Sequence, residues 1–133
     1  MKKLLILVTF ISSMIMSSVA HAEWTKVSKN IRGMTFYVDF ERIRKHGGYV
    51  YYWDLGDYLT PMGNFKNLSV INYNQVDCVL MRRKILTQIQ YKGKMGTGQK
   101  QINNIPDENW TYPPPNSSAE DILKAVCNHK SMQ

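Results

Sequence analysis

The sequence predicts an α+β domain, a run of β-strands followed by one C-terminal helix that docks on the sheet. Three observations predict it. Apolar and polar residues alternate in segments between residues 24 and 102, residues 119–127 change to helical spacing, and one of the two cysteines falls in each region.

Ahead of these elements, residues 1–22 read as a cleavable export signal. Lys2 and Lys3 precede an apolar core at 4–11, which fades through serines at 12, 13, 17 and 18 into Ala20-His21-Ala22, the small-residue pattern that a signal peptidase reads. Cleavage after Ala22 leaves residues 23–133, a length that fits a single domain with one core. A retained membrane anchor is the competing reading, but an apolar stretch of about 15 residues is short against the roughly 20 that a spanning helix needs. The first cysteine is Cys78, so no lipoprotein cysteine follows the apolar core. The expected location is periplasmic or secreted, with the cell surface as a further option, and the processed chain is not expected to span a membrane.

The full sequence carries 17 basic and 10 acidic residues, a net charge of +7, which falls to +5 without Lys2 and Lys3. Such a balance favours polyanionic partners, among them lipopolysaccharide, acidic glycans and acidic protein patches. A solvated basic surface accounts for it equally. Export and the lack of an RNA- or DNA-binding motif argue against nucleic acid.

Residues 24–27 and 35–40 are short β-rich runs, and the segment 30–33 between them has the Asn30 and Gly33 of a tight turn. Residues 41–44 are expected to form one helical turn, and Lys45-His46-Gly47-Gly48 a chain reversal. The strongest strand is 49–59, with Tyr49, Tyr51, Trp53 and Leu55 on one face and Val50, Tyr52 and Asp54 on the other. A loop is expected at 60–64, then long strands at 67–77 and 79–92. In the second, Val79, Met81, Ile85, Ile89 and Tyr91 share a face expected to be core, opposite Cys78, Leu80, Arg82, Lys84, Leu86, Gln88 and Gln90. Gly93-Lys94-Met95-Gly96-Thr97-Gly98 reads as a flexible hairpin turn with a returning strand at 99–102. Its glycines invite a phosphate-loop reading, but neither a Gly-Lys-Ser/Thr triplet nor a helix follows.

The helix signal is the clearest local pattern. Ser117-Ser118-Ala119-Glu120 fits a capping box, and Ala119, Ile122, Leu123, Val126 and Cys127 form one apolar stripe. Pro113-Pro114-Pro115 keeps the approach extended. In an oxidising compartment an even pair of cysteines is most simply a disulfide, Cys78 to Cys127, which places the bond where helix and sheet meet. Two free buried thiols or a bridge between subunits are the alternatives. With no histidine beside them, the cysteines do not suggest zinc, and no metal or cofactor is expected.

Several pieces occur in a familiar order. Phe36-Tyr37-Val38-Asp39 and Ile43-Arg44-Lys45 precede a glycine turn, Tyr52-Trp53-Asp54-Leu55 follows, and Asp77-Cys78 leads into Arg82-Arg83-Lys84. Gly96-Thr97-Gly98, Trp110, the Pro-rich turn into Ser117 and a helix ending Val126-Cys127 complete the series. In these the chain resembles the surface-adhesin protein E family of exported bacterial proteins. The resemblance implies a curved antiparallel sheet of about six strands whose concave face holds the C-terminal helix by a disulfide. It also implies attachment to host surface or matrix proteins, although a fold does not fix a ligand.

Catalysis finds little support. His46 falls in a glycine turn and His129 near a helix end, no HExxH or Cys/His cluster occurs, and the acids are scattered. The expected function is therefore non-enzymatic binding by an adhesin-like module. Candidate contacts are Arg42, Arg44, Lys45, Arg82, Lys84, Lys92, Lys94 and Lys100, with Tyr49, Tyr51 and Trp53 as aromatic anchors. A core role for the rings and a solvated role for the cations compete at each position. The alternative function is a small periplasmic envelope-maintenance or inhibitor protein. A lysozyme inhibitor is the specific version, but lysozymes are typically basic and repel a basic domain. A sheet covered on one face by one helix also predicts a homodimer that buries the other face or a strand edge.

Overall fold

The computed structural model describes residues 22–104 and 109–129. Apart from Ala22, the expected export signal lies outside the described residues. Seven strands and one α-helix are seen among them: β1 Thr25–Lys29, β2 Thr35–Val38, β3 Arg44–His46, β4 Tyr49–Met62, β5 Asn67–Asp77, β6 Arg82–Tyr91, β7 Lys100–Asn103 and α1 Ser118–Cys127. Six strands run β1-β2-β4-β5-β6-β7 in one antiparallel sheet, and β3 pairs with β4 on the flank that β2 leaves free. The expected fold class is the observed one.

Local chemistry explains where boundaries differ from expectation. Gly47 and Gly48 take φ of +58° and +82°, a pair of left-handed residues that closes a two-residue hairpin. Lys45 and His46, expected in the chain reversal, and Arg44, expected in the helical turn, are therefore freed to pair with 49–51 as β3. The helical turn expected at 41–44 is a 3-10 turn, Phe40–Arg42, which steps the chain from β2 to β3. β4 runs on to Met62 through the expected loop, and its register with β5 skips from Asp57 to Met62. Pro61 lies in that skipped stretch, where a missing backbone donor removes no ladder bond.

Alternation gives the sheet two chemically distinct faces. On one, Val38, Val50, Tyr52 and Val76 meet Ile122, Leu123 and Val126 of α1 in the core cluster. On the other stand Tyr49, Tyr51, Trp53 and, opposite Trp53, Tyr73. The expected common core face of Val79, Met81, Ile85, Ile89 and Tyr91 is corrected by the structure. Asn74 pairs with Ile85 but Tyr73 pairs with Thr87, so one extra residue in β6 shifts the parity. Ile85 therefore faces the helix side, whereas Ile89 and Tyr91 face outward. Val79 and Met81 lie in the four-residue turn before β6, not in a strand.

The helix begins where expected, with Ser117 Oγ accepting from the Glu120 amide at 3.2 Å. Its reciprocal half is replaced. Glu120 accepts from Lys124 at 2.8 Å, and the Ser117 amide donates to the Pro114 carbonyl. At the other end Cys127 bonds Cys78 in the β5–β6 turn.

Because 49 residues separate the two cysteines, the bond constrains a long stretch of the unfolded chain. Its reduction is expected to lower the unfolding free energy by roughly 4 kcal/mol. The measurement is the urea midpoint of oxidised against reduced protein, and an unchanged midpoint would show that packing alone secures α1.

Candidate functional site

The outward face gathers rings and cations at one end of the sheet. Tyr73 of β5 bridges two residues of β4, with its ring centroid 4.7 Å from that of Trp53 and 6.1 Å from that of Tyr51. Further along, Tyr49 lies 5.4 Å from Trp110. Over the Trp110 ring stand the Arg82 guanidinium at 4.5 Å and the Lys84 ammonium at 4.7 Å, both within cation–π range. Two backbone bonds between Arg83 and Thr111, of 2.9 and 2.8 Å, fasten the Trp110 segment to β6. All of these rings and both cations are half-buried, so each keeps an accessible part.

Asp77 organises the adjoining turn. One carboxylate oxygen accepts from the Val79 and Leu80 amides, each at 3.0 Å, and the other pairs with Arg82 at 3.1 Å. The Leu80 amide foremost, then Arg82 and the Val79 amide, hold this carboxyl below the usual carboxylate range.

The eleven candidate contacts thus divide. Tyr49, Tyr51, Trp53, Arg82 and Lys84 come together. Arg42 pairs with Asp39 at 3.2 Å and flanks a separate groove of about 210 Å³ with Trp24, Trp53 and Tyr91. Arg44 donates to the Glu41 and Ile43 carbonyls, and Lys45 is exposed on β3. Lys92, Lys94 and Lys100 lie toward the other end of the sheet. Lys92 stands 5.0 Å from the Phe65 ring, Lys94 pairs with Asp57 and donates to the Tyr58 carbonyl, and Lys100 is exposed on β7.

That other end is covered by the 93–98 segment, expected to be a flexible turn. Ser69 Oγ donates to the Gly93 carbonyl at 2.7 Å and accepts from the Gly96 amide at 2.9 Å. A Cβ on Gly96 would come within 2.8 Å of Ile71 Cδ1, so glycine permits the close approach that seals Leu55 completely.

A polar cluster missed at the sequence level lies under the helix. Asp54, buried on the core side of β4, accepts from Asn72 and Asn74 at 2.9 Å each, and Gln88 donates to Asn72 at 3.1 Å. Arg83 approaches Asp54 to 3.7 Å. A cavity of about 200 Å³ beside them is also lined by Tyr58, Ser118 and Ile122. Burial raises the Asp54 carboxyl against the opposing pull of Arg83 and the two carboxamides. His46 lines another groove, of about 440 Å³, whose described lining residues include neither a serine nor a carboxylate. His129 stacks on Phe40 at 4.9 Å.

A sheet stapled to one helix, with rings and cations displayed on the far side, places the chain among small β-sheet binding domains. Residues 24–128 match the family model for surface-adhesin protein E, and the chain belongs to that family. Crystal form II of Haemophilus influenzae protein E aligns at a TM-score of 0.60 and 16% identity, covering 80% of this chain and 88% of that one. Protein E from non-typeable Haemophilus influenzae aligns at 0.55 and 15%, covering 83% and 78%. At that identity the likeness concerns the fold. No curated protein matches the sequence.

The two carboxylates have opposite linkage to pH. Folded Asp54 keeps its proton above the ordinary carboxylate range, so its contribution to stability falls as pH rises from that range through its raised value. The Asp77 contribution is present above the ordinary range and is lost as pH falls through its lowered value. Urea unfolding between about pH 3 and 7 should therefore show wild type losing ground to Asp54→Asn, and gaining on Asp77→Asn, as pH rises. Parallel profiles for the two variants would contradict this assignment.

Proposed function

We propose that the chain is an exported, non-enzymatic adhesin-type protein whose outward face contacts a macromolecular partner, a host surface or matrix protein. The observation that carries this is the Trp110 assembly, in which one half-buried indole holds two cations and a tyrosine at the sheet surface. Aromatic residues and arginine are enriched in protein interfaces, and the basic balance of the chain suits acidic patches on a protein or its glycans. Membership of the surface-adhesin protein E family supports the same class of function.

In this reading, cleavage after Ala22 releases a single domain, 23–133, and a second copy can cover part of the outward face or a free edge at β1 or β7. Mass analysis of the exported product should then give Glu23 as its first residue, and light scattering at high concentration should report a dimer. For the binding face, Trp110→Ala is expected to weaken capture by immobilised matrix protein roughly 30-fold, the effect of about 2 kcal/mol at an interface hot spot. Arg32→Ala in the β1–β2 turn, exposed at the opposite end of the sheet, is the matched surface control. Equal binding by wild type and Trp110→Ala would remove this face from the proposal.

A further inference from the structure

We infer that the tip of the β5–β6 hairpin docks on an anionic phospholipid bilayer. Val79 and Leu80, adjacent in the turn, are 89% and 51% exposed. Local folding does not require apolar side chains there. The turn is set by the Asp77 carboxylate, which takes both of their amides, and by the Asp77–Arg82 pair that closes the hairpin. The same bonds hold the tip in one conformation, so little ordering is left for the moment of contact.

The surroundings of the tip combine apolar, aromatic and cationic side chains. Behind it the groove of about 440 Å³ runs to the β3–β4 hairpin and is lined by Val50, Tyr49 and the disulfide, with Lys45 and His46 at its rim. Tyr49 continues this surface to Trp110. On one flank stand Arg44 and Lys45, and on the other Arg82 and Lys84, while the carboxylate of Asp77 is already engaged. An apolar point with Tyr, Trp, Lys and Arg beside it offers the side chains that suit the acyl chains, headgroup boundary and phosphate of a bilayer interface.

Shape favours a bilayer over an acidic protein. A protein accepts protruding Val and Leu side chains only through a matching pocket, whereas a fluid interface takes any convex apolar point and its cationic rim together. Ile31, fully exposed in the β1–β2 turn, lies at the opposite end of the sheet and provides an internal control. The inference shares Trp110, Arg82 and Lys84 with the adhesin reading, but its test does not, because the tip and Lys45 are separate from the Trp110 substitution that tests that reading.

The experiment is co-sedimentation of the purified exported protein with vesicles of phosphatidylglycerol and phosphatidylcholine in equal parts, and with vesicles of phosphatidylcholine alone. Wild type should bind the anionic vesicles, with affinity falling as salt rises. Val79→Asp with Leu80→Asp should reduce binding at least about tenfold, and Lys45→Glu by about fivefold or more. Ile31→Asp should leave binding within about twofold of wild type. Near-ultraviolet circular dichroism confirms that each variant remains folded. Failure of wild type to bind anionic vesicles, full binding by the folded tip variant, or an equal loss with Ile31→Asp would each overturn the inference. Capture by an acidic polypeptide without capture by the vesicles would do so as well.

Discussion

Coverage of one sheet face by α1 is the constraint on which the rest of the structure depends. Ile122, Leu123 and Val126 are sealed against Val38, Val50, Tyr52 and Val76, and truncating one such buried aliphatic residue to alanine costs about 2–5 kcal/mol. In a domain whose whole stability is of order 5–15 kcal/mol, that contact decides whether the sheet has a core at all. It also decides what is left over. One ten-residue helix can cover only one side, so strand alternation sends every second residue of β4 and β5 to a surface that α1 never reaches.

That leftover surface is not uniform, and the difference is visible in small residues. Gly96 lets the 93–98 segment settle on Ile71 and Leu55, with Ser69 bonding it from below. At the other end bulky rings take the equivalent positions, and Trp110 arrives from a distant part of the chain to stack beside Tyr49. Asp77 links the two aspects of this end. Its carboxylate shapes the turn that carries Cys78, and its partner Arg82 extends over Trp110. The staple and the ring-bearing surface are thus built on one side chain.

Much of this was legible from residue order. Period two in 49–59 identified one central strand, 67–77 was expected as a second, and the 119–127 stripe identified the helix and its buried side. The split between Tyr49, Tyr51 and Trp53 on one face and Val50, Tyr52 and Asp54 on the other follows directly from the pleat. Errors came where a single residue changes parity or where partners are remote. Nothing in 82–91 announces the extra residue opposite Tyr73 and Asn74, because a bulge is a property of the pairing rather than of either strand. Tyr73 lay in a recognised strand, yet its place between Tyr51 and Trp53 required the register. Trp110 had no periodic neighbours to assign it to a face. Of the eight basic candidates only Arg82 and Lys84 stand over Trp110, since composition counts cations and topology distributes them.

The Asp54 cluster shows why the helix side is not simply hydrophobic. A buried carboxylate bonded to Asn72 and Asn74 and approached by Arg83 adds less net stability than packed aliphatic side chains of similar volume would, because desolvation offsets the attraction. Its bonds, however, cross from β4 to β5, and Gln88 extends them to β6. A slip of β5 by one residue would turn Asn72 and Asn74 to the other face and leave a buried carboxyl without them, a penalty that aliphatic neighbours could not impose. The network therefore specifies the alignment of the three central strands. That alignment in turn puts Tyr73 opposite Trp53 on the outward face, so polar groups beneath the helix set the geometry of the rings above.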